Sequence, residues 1–108
     1  MLVIGSGVAG LLHIQLARAS GAGYIVATDV VDYRLEAARK LGADIAVQAG
    51  QYTPDHLRLR RAADGRLADL VVLCSGATSA INQALQSLER GGTVLFFAPT
   101  EPGVSIPI

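Results

Sequence analysis

Six residues near the amino terminus, Gly5-Ser6-Gly7-Val8-Ala9-Gly10, fit the pattern G-x-G-x-x-G. They follow a short β-branched run, Leu2-Val3-Ile4, and open a long apolar stretch. In that setting each glycine has a physical task. Gly5 permits a tight turn, Gly7 lets a pyrophosphate approach the backbone, and Gly10 lets a helix pack closely on the preceding strand. The free amides and positive dipole end of the helix then face phosphate charge. Asp29 stands about 20 residues further on, at the end of the next apolar run, where a carboxylate accepts hydrogen bonds from adenosine ribose hydroxyls. The same charge repels a 2′-phosphate. Val30 and Val31 follow it rather than arginine, so no cation is expected there, and NAD is expected over NADP. Cys74-Ser75-Gly76 ends another apolar run. Gly76 would let a ribose approach and Ser75 would offer a hydroxyl. Cys74 reads as a small buried hydrophobe, since no base is placed by sequence to activate it.

The elements that must position these residues read as strands and helices in alternation. Strands are expected over 2–4, 24–28, 45–47, 70–74 and 93–98. Helices are expected over 8–19, from an Asp32 cap to 41, over 54–63 behind Thr53-Pro54, and over 78–89. The tail, 99–108, holds three prolines and reads as extended or looped. Such alternation with right-handed crossovers gives an α/β fold, a doubly wound parallel sheet of the Rossmann kind, with about five strands in the order 3-2-1-4-5. No internal repeat or linker interrupts the chain, so residues 1–108 read as one domain.

Composition narrows the classes further. The 108 residues carry 9 Lys+Arg and 9 Asp+Glu, a formal net charge of zero. That balance argues against a nucleic-acid partner, and Arg58, Arg60 and Arg61 read as a solvated helix face. One cysteine excludes an internal disulfide. His13 and His56 lack partners at metal-ligand spacing, so no metal site is expected. The longest uncharged stretch, 70–88, is too polar for a membrane span, and the glycine-punctuated start does not read as an export signal. A reducing cytoplasm is the expected compartment.

The sequence resembles the cofactor-binding domain of the medium-chain dehydrogenase/reductase family, in its zinc-dependent alcohol, sorbitol and threonine dehydrogenase branch. The resemblance spans nearly the whole chain. It rests on Val3-Ile4-Gly5-Ser6-Gly7-Val8-Ala9-Gly10, on Asp29 followed by Arg34 to Asp44 with its Lys40-Leu41-Gly42-Ala43-Asp44 run, on 68–76, and on Arg90-Gly91-Gly92. It implies that the amides of Val8 and Ala9 meet the pyrophosphate and that Arg34 touches the adenosine ribose side. It implies that 74–76 and Ala98-Pro99 line the nicotinamide end. In the family, a separate domain carries the catalytic zinc ligands and the substrate pocket, and a sixth strand covers the sheet edge. Neither is found here, so the chain is expected to be a fragment or partial gene. By itself it is expected to hold cofactor without catalytic residues, and to self-associate through its exposed edge. A nucleotide-sensing regulatory domain and a methyltransferase share the glycine loop and the acid. The Leu41-Gly42-Ala43-Asp44 and Gly91-Gly92 runs stand against the first. The want of a segment for an added antiparallel strand stands against the second.

Overall fold

A computed structural model describes residues 1–59 and 66–97. The elements run β1 (Leu2–Ile4), α1 (Val8–Ala19), β2 (Val26–Asp29), α2 (Asp32–Leu41), β3 (Ile45–Gln48), a short 3₁₀ helix (Pro54–Leu59), β4 (Ala68–Leu73), α3 (Thr78–Gln86) and β5 (Leu88–Phe96). All the strand pairings are parallel, in the order β3-β2-β1-β4-β5. β1 is central. Ile4 lies beside Thr28 of β2 and beside Leu73 of β4. The chain therefore reverses its direction of winding at the end of β1, where Gly5 begins.

The continuous apolar strands are explained by burial on both faces. Leu2, Ile4, Val26, Val71 and Leu73 pack on one side with Tyr52, Leu57, Ile81 and Ala84. Val3, Ala27 and Val72 pack on the other with Ile14 of α1 and Leu35 and Ala38 of α2.

Several boundaries differ from the sequence reading, each for a local reason. β2 starts at Val26 rather than residue 24, because the Ile25 amide donates to Asp44 Oδ2 at 2.7 Å instead of joining the ladder. Asp32 does not cap α2. The residue before the helix is Val31, and Asp32 Oδ1 instead accepts from Gln48 Nε2 at 3.0 Å. The helix expected over 54–63 is a 3₁₀ segment as far as Leu59, and the rest lies outside the described residues.

The largest difference is at the last strand. α3 ends at Gln86, and β5 begins at Leu88 rather than Thr93. Ser87 turns the chain. Its amide bonds the Gln83 and Ala84 carbonyls, and its buried hydroxyl meets Tyr52 Oη at 2.7 Å. Leu88 then pairs with Ala68, and pairing resumes only at Thr93 with Leu70. Glycine is needed inside this irregularity. Gly91 has φ +79°, and a Cβ on Gly92 would lie 2.9 Å from the Asp69 carbonyl oxygen.

Candidate functional site

The carboxyl ends of β1, β2 and β3 open onto a cleft of about 430 Å³. Gly5 and Gly7 line it from the first turn, and Thr28, Asp29, Val30 and Arg34 line it from β2 and the start of α2. Ala49 and Gly50 after β3, Ser75 after β4, and Ala77, Ser79, Ala80 and Gln83 around α3 close it. This is where parallel α/β sheets take ligands, in the crevice at the switch of winding direction.

Asp29 anchors the arrangement. It is buried, and both of its oxygens are held by backbone donors. Oδ2 accepts the Ser6 N–H at 2.7 Å and Oδ1 accepts the Val31 N–H at 2.9 Å. Ser6 is wholly buried and adds a second tie, its hydroxyl donating to the Thr28 carbonyl at 3.1 Å. The Gly5 amide bonds the same carbonyl at 2.9 Å. The glycine loop is thus stitched to the end of β2 by three hydrogen bonds before any ligand arrives. Charge-assisted bonds from fixed amides leave the carboxylate in one orientation, with lone pairs still free to accept.

The three glycines differ in what requires them. Gly5 has φ +94°, a conformation that side chains rarely adopt. Gly10 is required by packing, since a Cβ there would run into the Gly5 carbonyl. Neither reason applies to Gly7. Its φ is −74°, and a Cβ would meet only Arg34 Nη1, at 3.9 Å. The protein itself leaves the space above Gly7 open.

The electrostatics favour an anion. α1 begins after Gly7, and α3 begins after Ala77. Neither has a side-chain cap or an acidic residue in its first turn. Both helix starts therefore present uncapped amides and positive dipole ends toward the cleft. Arg34 adds a guanidinium. Its Nη1 is 3.9 Å from Asp29 Oδ2 and its side chain is 42% exposed. This corrects the sequence expectation that no cation stands near the carboxylate. Residue 34 lies in the first turn of α2, which folds back beside residue 29; the adjacency of Val30 and Val31 in sequence hides this.

Other expected residues fall in place to different degrees. Val8 is exposed at the start of α1. Ala9 lines a smaller apolar cavity of about 150 Å³ with Leu12, His13, Leu16 and Phe97. Ser75 lines the main cleft, and its hydroxyl accepts the Ala77 N–H at 3.4 Å. Cys74 and Gly76 flank it without lining the cleft. Burial pushes the Cys74 thiol up, so it stays a thiol at neutral pH. Ala98 and Pro99 lie outside the described residues. Sequence reading missed Thr28, Ala49, Gly50, Ser79 and Gln83. For Ala49 and Gly50 a signal was available, since they follow a parallel strand directly at its carboxyl end. Among the described residues no group of three or more His, Cys, Asp or Glu side chains is placed to hold a metal ion. No helix among them is long and apolar enough to cross a membrane.

Comparison with known proteins adds to this geometry. A family model described as zinc-binding dehydrogenase matches residues 8–108. The sequence is 29% identical over 109 residues to sorbitol dehydrogenase of Mus musculus, covering 100% of this chain and 30% of that protein. It is 36% identical over 106 residues to L-threonine 3-dehydrogenase of Bacillus velezensis, covering 98% of this chain and 30% of that one. The structure matches alcohol dehydrogenase TADH from Thermus sp. ATN1 with a TM-score of 0.83 and 34% identity, over 99% of this chain and 31% of that chain. It also matches a protein from Sinorhizobium meliloti 1021, described as a zinc-binding dehydrogenase and solved bound to NADP, with a TM-score of 0.82 and 26% identity. There the overlap is 99% of this chain and 32% of that one. The chain thus spans about a third of the length of these relatives.

Proposed function

The chain belongs to the zinc-binding dehydrogenase family, and from that premise we propose that it holds a nicotinamide dinucleotide for hydride transfer in a longer alcohol or polyol dehydrogenase. The observation that carries this reading is the open space over Gly7, beside an uncapped helix start and a carboxylate locked by the Ser6 and Val31 amides. Neither backbone strain nor packing calls for glycine at position 7. A bulky anion lying against the loop does.

In this reading the pyrophosphate lies over Gly7 and takes the amides of Val8 and Ala9. The ribose hydroxyls on the adenosine side donate to Asp29, with Val30 against the base and the Arg34 guanidinium beside the ribose. The nicotinamide half runs toward Cys74, Ser75 and Gly76. When bound, the nicotinamide supplies the carbon that exchanges hydride with a substrate. In this reading the residues of this chain bind and orient the cofactor. Zinc belongs to another part of the longer protein in this reading. The substrate pocket belongs there too, and residues 1–108 form the single cofactor-holding domain. A single cysteine kept as a thiol suits a reducing cytoplasm. A nucleotide-sensing regulatory domain draws no support from relatives that are sorbitol and threonine dehydrogenases.

Between the two cofactors we favour NAD. A buried carboxylate beside the ribose opposes a 2′-phosphate at short range. Arg34 offsets part of that charge, so the preference is moderate; a family member solved with NADP fits the same logic. Calorimetric titration of the purified chain tests both points. NADH binds more tightly than NADPH, by about tenfold, and Asp29→Ala weakens NADH and closes the gap; a tenfold ratio corresponds to about 1.4 kcal/mol. Equal or tighter NADPH binding by the unaltered chain contradicts the assignment.

A further inference from the structure

Beside Asp29, the cleft is also lined by Ala49 and Gly50, which follow β3, and by Ala80 and Gln83 of α3. Gln83 Nε2 donates to the Ala49 carbonyl at 2.9 Å, joining α3 to the end of β3. That bond fixes which way the amide faces. Turning it over would set Oε1 against the Ala49 oxygen, acceptor against acceptor. Oε1 is therefore presented as an acceptor, and no hydrogen bond among the described residues occupies it. Val30, Ala49 and Ala80 line the same cleft, and their methyl groups suit the faces of a flat ring.

A second observation points to a ligand with a polar edge. Thr28 lines the same cleft, and its buried Oγ1 has no hydrogen-bond partner among the described residues. Buried hydroxyls without partners are uncommon, because each forfeits its solvation without return. The protein leaves polar capacity at this end that its own groups do not use.

We propose that Gln83 selects the base of the dinucleotide, with its Oε1 accepting a hydrogen bond from the exocyclic amine of adenine and disfavouring a purine with a 6-oxo group. The proposal rests on the cofactor reading above and adds a specificity residue to it. An amine places a donor on Oε1. An oxo group at the same ring position places an acceptor there, and the Ala49 bond stops the Gln83 amide from turning over to suit it.

The experiment is calorimetric titration of the full 108-residue chain with NADH and with its hypoxanthine counterpart, which carries oxygen in place of the amine. The unaltered chain prefers NADH by about tenfold, the scale of one hydrogen bond lost with its acceptor left facing another. Gln83→Met, checked for folding by circular dichroism, binds the two within about twofold of each other. Equal affinities in the unaltered chain overturn the proposal whether or not the variant folds. A ratio unchanged in folded Gln83→Met overturns it as well. Absence of binding by both nucleotides removes the cofactor reading itself, and this inference with it, which is distinct from binding without discrimination.

Discussion

Gly7 precedes α1 and Gly10 lies in its first turn, and the structure gives them opposite reasons for being glycine. A Cβ at Gly10 collides with the Gly5 carbonyl, a backbone atom that cannot swing away. A Cβ at Gly7 meets nothing closer than 3.9 Å. Gly10→Ala therefore costs stability, about 1–3 kcal/mol or more by the usual scale of overpacking, read as a lowered midpoint in urea. Gly7→Val folds, with an unfolding free energy within about 2 kcal/mol of the parent because only the helix start changes, and shows no NADH binding by titration. Unaltered NADH affinity in folded Gly7→Val would remove the loop from the site. The glycine pattern and Asp29 were legible in the sequence, because a turn with this spacing leaves few alternatives. The role of Ser6 was not. Its amide and hydroxyl bond Asp29 and Thr28 across 23 and 22 residues, and contacts between positions so far apart leave no local pattern. The place of Arg34 beside Asp29, five residues back, was not legible from Val30 and Val31, the residues adjacent to Asp29, and only the family resemblance pointed to it.

At the scale of elements, strand order and the two-sided core followed from continuous apolar runs alternating with helical stretches. The end of α3 did not. Ser87, Leu88 and Glu89 are compatible with another helical turn, but pairing with β4 outweighs that preference. Leu88 bonds into the ladder at Ala68. Glu89 Oε2 then accepts the Leu67 N–H at 2.6 Å and Oε1 the Arg90 N–H at 3.2 Å. The Leu67 amide, seconded by that of Arg90, holds the Glu89 carboxyl below the usual glutamate range. A folded-state value below the unfolded one means that the unfolded chain binds the proton more readily. This contribution is therefore complete above the ordinary glutamate value and is lost as pH falls through it toward the folded value. Urea midpoints measured from pH 7 to pH 3 decline over that window, and Glu89→Gln shows a shallower decline because its amide no longer titrates. An identical acid limb in the variant would mean that Glu89 does not hold the entry to β5.

For the molecule as a whole, the relatives are about three times longer, and two features of the surface bear on how this portion behaves. β5 is the outer strand of the sheet, and among the described residues it pairs only with β4. Leu95 and Phe96 on it, and Phe97 just after it, are 42%, 42% and 54% exposed. An apolar edge strand with unpaired backbone groups is a template for another chain. The prediction is that the 108-residue chain self-associates in a light-scattering concentration series, and that Leu95→Lys, which places a charge on that strand, reduces the effect. A strictly monomeric chain at high concentration would show that the edge is covered. The central claim is that a dinucleotide lies across the carboxyl ends of the strands, from Asp29 over Gly7 toward Ser75. The most direct test is an amide-resolved NMR titration of the chain with NADH. The account predicts saturable shifts concentrated at residues 6–10, 29–30, 49–50 and 75–77, and little change at the opposite end of the sheet, around 44–45 and 67–68. Shifts centred on that opposite end, or none at saturating NADH in a folded chain, would contradict it.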